Sequence, residues 1–280
     1  MLIELPSGLQ GEARKIRGAE AIELAERAGQ AGGNSLGSIL RGCWQRTIDP
    51  GPYAHTVVGE QALDWNRVLK GDLLAGLIAL RAASIPSVRD VPPGEPWPGK
   101  QYSFYVQCER CQTKYGWTVN DIVHDLPRRE LSPESVEQLR AGKPFTATAT
   151  DDDGHAHELT FDLMLPEQDD VLRVLLKTLN RKRITTVESL AAQTRTVNGK
   201  AMAPVFRQRF FAQLPLGELN RLRDLFDTAD CGIDLDFETR CTNPDCGWEQ
   251  DVTLPFDKTF WRPDLAPAKK APEPSPDPEA

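Results

Sequence analysis

No run of apolar residues in this 280-residue chain is long enough to cross a bilayer. The longest, "LLAGLIAL" at Leu73–Leu80, sits between Asp72 and Arg81, whereas a spanning helix needs about 20 apolar residues. Glu4 and Pro6 interrupt the N-terminal segment before an apolar stretch can develop, so no signal peptide is expected. Net positive charge is missing too. Thirty-three Lys and Arg stand against 41 Asp and Glu, a balance of -8. Broad nucleic-acid binding needs clustered cations to displace counterions, and this balance argues against it. The short clusters Arg181–Arg183 and Arg207–Arg209 read as solvated faces. None of the four histidines falls in an H-E-x-x-H pair, and no glycine loop of the phosphate-cradling kind occurs. No catalytic residue is assigned, and no small-molecule substrate is expected.

What is present suits a globular protein. Hydrophobic residues make up 40% and charged residues 26% of a chain long enough for one large domain or two ordinary ones. Without a secretory segment, a reducing cytoplasm is the expected setting, and six cysteines there seldom mean disulfides.

Periodicity gives a coarse map. "GAEAIELAERAG" within 18–29 is helical in pattern, a glycine-rich join covers Gly29–Gly37, and Asp49-Pro50-Gly51-Pro52 must be a loop. Trp65, Leu69, Leu73, Leu77 and Leu80 recur every three or four residues and predict a helix over roughly Leu63–Ala83. Ser84–Lys100 holds five prolines and reads as an extended crossover. A short helix should follow Ser132, with Pro133 in its first turn and Gly142 beyond its end. "FTATAT-DDDGH-AHELTFDL" predicts a hairpin turning at Asp151–His155, and four helical segments follow between Glu167 and Gly232. The last 17 residues, from Asp264, carry five prolines and no aromatic residue, and are expected to be disordered.

The chemistry concentrates in one repeated phrase. "YVQCERCQTKYGW" at Tyr105–Trp117 and "ETRCTNPDCGWEQ" at Glu238–Gln250 each run a strand into two close cysteines, with a Gly-Trp pair after them. Phe104 and Phe237 each precede the first cysteine by four residues. A C-x-x-C turn offers two thiolates on one side of a tight loop, and the wider Cys241/Cys246 turn does the same through Pro244 and Gly247. Two such hairpin tips supply the four corners of a tetrahedral Zn2+ site. Cys108, Cys111, Cys241 and Cys246 are therefore the expected metal ligands, one structural ion per chain. Redox chemistry would put the pair at a helix start, and here strand residues follow. Cys43 and Cys231 read as small buried hydrophobes. His155 and His157 lie in a hairpin that explains them without metal, and "DDDG" lacks the spacing of a calcium loop.

The expectation is an α+β protein. Residues 1–83 form a helical N-terminal region and 84–100 a crossover. Residues 101–263 form a zinc-stapled domain around a zinc-ribbon-like element of two distant hairpins, and 264–280 a tail.

The stretch "LPLGELNRLRDLFDTADCGIDLDFETRCTNPDCGWEQDVTLPFDKTFWRP" resembles the baseplate (hub assembly) protein family of phages with contractile, T-even-like tails. A strand entering a cysteine pair, then "LPF" at Leu254–Phe256, then the aromatic pair Phe260-Trp261 carry the resemblance, most specifically over Pro215–Pro263. "GPY", "DWNRVLKGDLL" and the first cysteine pair fit longer members less specifically. The Cys241/Cys246 spacing is wider than the family's tighter turn. The resemblance implies a non-enzymatic role in building the baseplate, partners among other baseplate and tail proteins, and a location in the host cytoplasm during assembly or in the virion tail. The alternative is a zinc-ribbon adaptor or regulator for nucleic acid or a polymerase-like machine. Arg110, Lys114 and Arg240 flank the cysteines against Glu109, Glu238, Asp245 and Glu249, which is a poor nucleic-acid face.

Overall fold

The computed structural model describes residues 1–18, 20, 33–58, 62–85, 99–181, 184–255 and 258–261. Most of the expected helix within 18–29, most of the crossover at 84–100 and the whole tail at 264–280 lie outside the described residues, as do Lys182, Arg183 and Phe256.

The N-terminal region is not simply helical, which corrects the expectation for 1–83. Strands β1 (Leu2–Glu4) and β2 (Gln10–Ala13) pair antiparallel through a turn where Gly8 takes φ +88°. Helix α1 (Gly33–Cys43) starts inside the expected glycine-rich join, and β3 (Trp44–Asp49) then adds to β2. These strands are short, and β3 buries no residue fully, so no period-two signal marks it. Two-residue strands β4 (Val57–Val58) and β5 (Ala62–Leu63) follow.

The predicted helix over Leu63–Ala83 is also shorter than expected: α2 spans Lys70–Ser84, preceded by a 3-10 turn at Trp65–Arg67. Asp64 accepts the Asn66 N–H at 3.2 Å and caps that turn. The Leu69 N–H goes to the Tyr53 hydroxyl at 3.2 Å and the Lys70 N–H to the Met164 carbonyl at 2.8 Å. Tertiary acceptors thus take the donors a longer helix would have used. The apolar face itself is as read, with Trp65, Leu69, Leu73, Leu77 and Leu80 all buried.

Downstream the predicted elements form. Strands β6 (Tyr102–Gln107) and β7 (Lys114–Val119) make the first cysteine hairpin, and β8 (Arg128–Arg129) precedes α3 (Pro133–Arg140). Ser132 caps α3 by accepting the Ser135 N–H at 3.1 Å. Strands β9 (Phe145–Thr150) and β10 (Ala156–Phe161) are the expected hairpin. Helices α4 (Pro166–Thr178) and α5 (Thr186–Gln193) follow, the latter with a Thr185/Glu188 capping box. An unforeseen hairpin, β11 (Thr194–Val197) and β12 (Lys200–Ala201), completes a four-stranded sheet of order β12-β11-β10-β9. Its two-residue turn is Asn198-Gly199 with φ +51° and +73°, and that dipeptide was the available signal. Helices α6 (Pro204–Ala212) and α7 (Leu216–Ala229) lead to β13 (Gly232–Ile233), which pairs with β8. Strands β14 (Asp236–Arg240) and β15 (Glu249–Thr253) form the second cysteine hairpin, and α8 (Lys258–Trp261) ends the description. No described helix is long and apolar enough to cross a membrane.

Packing does not follow chain order. One apolar cluster joins Leu5, Leu40 and Leu73 of the N-terminal region to Phe161, Phe211 and Phe226. A second joins Tyr102, Phe104 and Tyr115 to Leu254 and Phe260 around the cysteine hairpins. Helix α2 serves both, with Leu73 and Leu77 in the first and Ile78 in the second.

Arg81, at the end of α2, is wholly buried and meets carbonyls instead of a carboxylate. Its Nε donates to the Phe260 carbonyl, Nη1 to that of Gly99 and Nη2 to that of Gln101 at 3.0 Å. The guanidinium lies 4.7 Å from the Phe260 ring centroid and 5.2 Å from that of Tyr102. Burial pulls its pKa down to about 10, so it stays charged at neutral pH. Arg81→Met should strip two buried carbonyls and one part-buried carbonyl of this donor and lower the unfolding free energy by about 3 kcal/mol. A urea titration measures this; an unchanged midpoint would mean those carbonyls find other donors.

Candidate metal centre

Each cysteine pair is shaped by its own backbone. In the first, the Cys108 N–H donates to the Thr113 carbonyl and the Gln112 N–H to the Cys108 carbonyl, both at 2.9 Å. Gln112 turns the chain with φ +61°. In the second, the Cys241 N–H donates to the Trp248 carbonyl at 2.8 Å. The Asn243 carbonyl accepts from Cys246 N–H at 3.0 Å and Gly247 N–H at 3.1 Å, and Gly247 has φ +53°. The residue after each second cysteine is therefore left-handed, where glycine fits without strain and glutamine does not. The extra residues between Cys241 and Cys246 are taken up by the turn at Asn243, so the wider spacing still aims both sulfurs at one point.

All four sulfurs lie within 4.8 Å of one another. Across the hairpins, Cys108 Sγ is 3.8 Å from Cys246 Sγ, and Cys111 Sγ is 3.6 Å from Cys241 Sγ. Thiolates at 2.3 Å from a tetrahedral ion stand about 3.8 Å apart. The four cysteines named from sequence are thus brought together in a geometry that could hold a metal ion. Cys108 and Cys241 are buried, while Cys111 and Cys246 are half-buried.

The hairpins are held tip to tip by their neighbours. Gln250 accepts the Glu109 N–H at 2.8 Å and donates to the Gln107 carbonyl at 3.1 Å. The Tyr115 and Thr239 hydroxyls meet at 2.9 Å. Beneath them, the Phe237 ring lies 5.7 Å from Phe104 and 6.0 Å from Trp117, which gives the repeated phenylalanine a common role. Over the tips, Arg110 lies 5.6 Å from the Trp248 ring. The two Gly-Trp pairs are not equivalent: Trp117 faces inward to Phe237, whereas Trp248 is exposed.

Electrostatics set Cys111 apart from Cys241. The Thr113 hydroxyl, 3.2 Å from Cys111 Sγ, and the Thr113 N–H pull that thiol down to about 6, while burial pushes Cys241 up. Four thiolates at one point repel one another, and a doubly charged cation removes that penalty. The Asn243 side-chain amide, 3.9 Å from Cys111 Sγ, adds a donor to the same sulfur. Thr113, Asn243 and Gln250 were not singled out from sequence, because nothing local distinguishes them from other polar turn residues.

Other candidates resolve differently. Cys43 and Cys231 are buried and free, Cys231 with its thiol 3.7 Å from the Asp72 carboxylate. Asp151, Asp153 and His155 do cluster within 4.8 Å. The Asp151 carboxylate already accepts the His155 N–H at 2.8 Å and the Asp153 N–H at 3.1 Å, as a turn requires. His157 and then the His155 N–H hold the Asp151 pKa down to about 2. Gly33-Asn34-Ser35-Leu36-Gly37 spells G-x-S-x-G. Ser35 lies within α1 and not at a strand-to-helix turn, so the backbone of a nucleophile elbow is not formed.

No protein-family model, curated protein or solved structure matches this chain.

Cys108→Ser should leave three sulfurs, weaken metal binding by at least about 100-fold and loosen both hairpins together. Cys43→Ser should leave metal content and hairpins unchanged. A chelator competition and amide exchange over 102–119 and 236–253 measure both. Retained affinity in the Cys108 variant would mean that the two pairs serve separate purposes.

Proposed function

We propose that Cys108, Cys111, Cys241 and Cys246 bind one structural Zn2+, and that the protein is a non-enzymatic component or assembly factor of a contractile-tail phage baseplate. The convergence of four sulfurs from two distant hairpins carries the metal reading. An all-sulfur donor set in a tetrahedral arrangement suits zinc. Four thiolates complete the coordination sphere and leave no position for water or substrate, so the ion holds structure.

The baseplate reading rests on the ordered features between Pro215 and Pro263. Their packing supports treating them as one unit. Leu254 and Phe260 are buried with Cys241 in the same apolar cluster, and Trp261 packs against it. The Tyr102 hydroxyl donates to the Pro255 carbonyl at 2.9 Å, tying the "LP" of that motif to the first hairpin. A rigid unit of this kind, with partners among baseplate and tail proteins, requires no reaction centre. The cytoplasm of the infected host is its place of work during assembly, and the virion tail its place if retained.

Elemental analysis of protein purified without chelator should give one zinc per chain, and chelation should lower the melting temperature. Mass spectrometry of purified particles, beside a pull-down from infected cells, tests the role. Presence in particles makes the protein a baseplate part, and recovery of tail proteins in the pull-down alone makes it an assembly factor. Recovery of neither sinks the baseplate reading while leaving the zinc site standing.

A further inference from the structure

Ser189 to Gly217 contains no aspartate or glutamate, in a chain that has 41 of them. Its charged residues are Arg195, Lys200, Arg207 and Arg209, so the segment is locally positive in a protein of net charge -8. Among the described residues, several arginines elsewhere meet a carboxylate: Arg46 with Glu12, Arg173 with Asp169, Arg221 with Glu218. Arg195 does too, with Asp162. Arg207 and Arg209, both on α6, have no carboxylate partner among the described residues. Arg207 gives one donor to the Thr194 carbonyl at 2.6 Å, while its Nε is buried without a partner among the described residues. Burial lowers its pKa, as expected of a cation lacking an anion.

The same helix is apolar on both sides. Inward, Phe211 is fully buried and Phe210 meets the His157 ring edge-on at 5.3 Å. Outward, Val205 is 63% and Phe206 52% exposed. Arg209 lies three and four residues beyond them, the spacing that places side chains on one helical face. The helix N-terminus, where Val205 and Phe206 sit, adds its own positive end. An aromatic ring, an aliphatic side chain and an arginine together are the composition of a protein interface core.

We propose that the outward face of α6, formed by Val205, Phe206 and Arg209, docks an acidic, apolar-anchored segment of a partner protein. Positive charge that meets no carboxylate among the described residues selects an acidic partner. The exposed valine favours a polypeptide over nucleic acid, since an aliphatic group offers no stacking surface to a base.

The test uses the full-length, metal-loaded chain and three fluorescent probes. These are an amphipathic Leu/Glu helical peptide, its Leu/Gln counterpart and a single-stranded oligo-dT. The Leu/Glu peptide should bind at least tenfold tighter than the Leu/Gln peptide. Arg209→Glu and Phe206→Ser should each weaken it at least tenfold with unchanged melting temperature, and Val171→Ser on α4, also an exposed apolar residue, should have no effect. Equal binding of both peptides, indifference to Arg209→Glu, binding of oligo-dT alone, or no binding of any probe would each overturn the proposal.

Discussion

Everything around the cysteines depends on two hairpin tips meeting. Cys111 and Cys241 are 130 residues apart in sequence, and closing a flexible loop of that length costs on the order of 4 kcal/mol. Each hairpin is a ribbon of only two strands, an arrangement of marginal stability alone in water. A zinc–thiolate site of the kind proposed contributes roughly 10 kcal/mol or more, enough to outweigh the closure term. Side chains share the task. Phe237 lies between Phe104 and Trp117, and Gln250 joins the second hairpin to the backbone of the first.

The cysteine unit is in turn fixed to the rest of the protein through α2. That helix lends Ile78 to the apolar cluster beneath the hairpins, and Arg81 to three carbonyls around it. A guanidinium satisfied by backbone oxygens and two aromatic rings avoids burying a second charge, and its planar fork demands one arrangement of the segments it touches. At its other end, α2 approaches β13 so closely that a Cβ on Gly71 would lie 1.9 Å from the Cys231 carbonyl. Only glycine fits there. The middle of the chain is thus held at both hairpin and helix, which explains why its helices pack with N-terminal residues far away in sequence.

Much of this was legible in the sequence because the signals are local. Period-two patterns at Tyr102–Val106 and Phe145–Thr150 yielded strands, and Ser132-Pro133 marked a helix start by its own capping chemistry. The repeated cysteine phrase indicated which four sulfurs would converge. The turn at Asn198-Gly199 carries an equally local signal. Other elements carried no such mark. β3 depends on pairing with β2, and Gly11 there lies against the Trp44 ring, a contact no window of sequence contains.

The sequence by itself determined which four cysteines come together and where the apolar faces lie, because spacing and residue type act over a few neighbours. Tertiary structure decided where α2 begins, since the acceptors for the Leu69 and Lys70 N–H groups come from Tyr53 and Met164. It also decided that Arg81 is a buried tie while Arg209 meets no carboxylate among the described residues, although both read as ordinary basic residues in a helix. Charge pairing and burial depend on which distant segments arrive at a side chain, and that information exists only once the chain has folded.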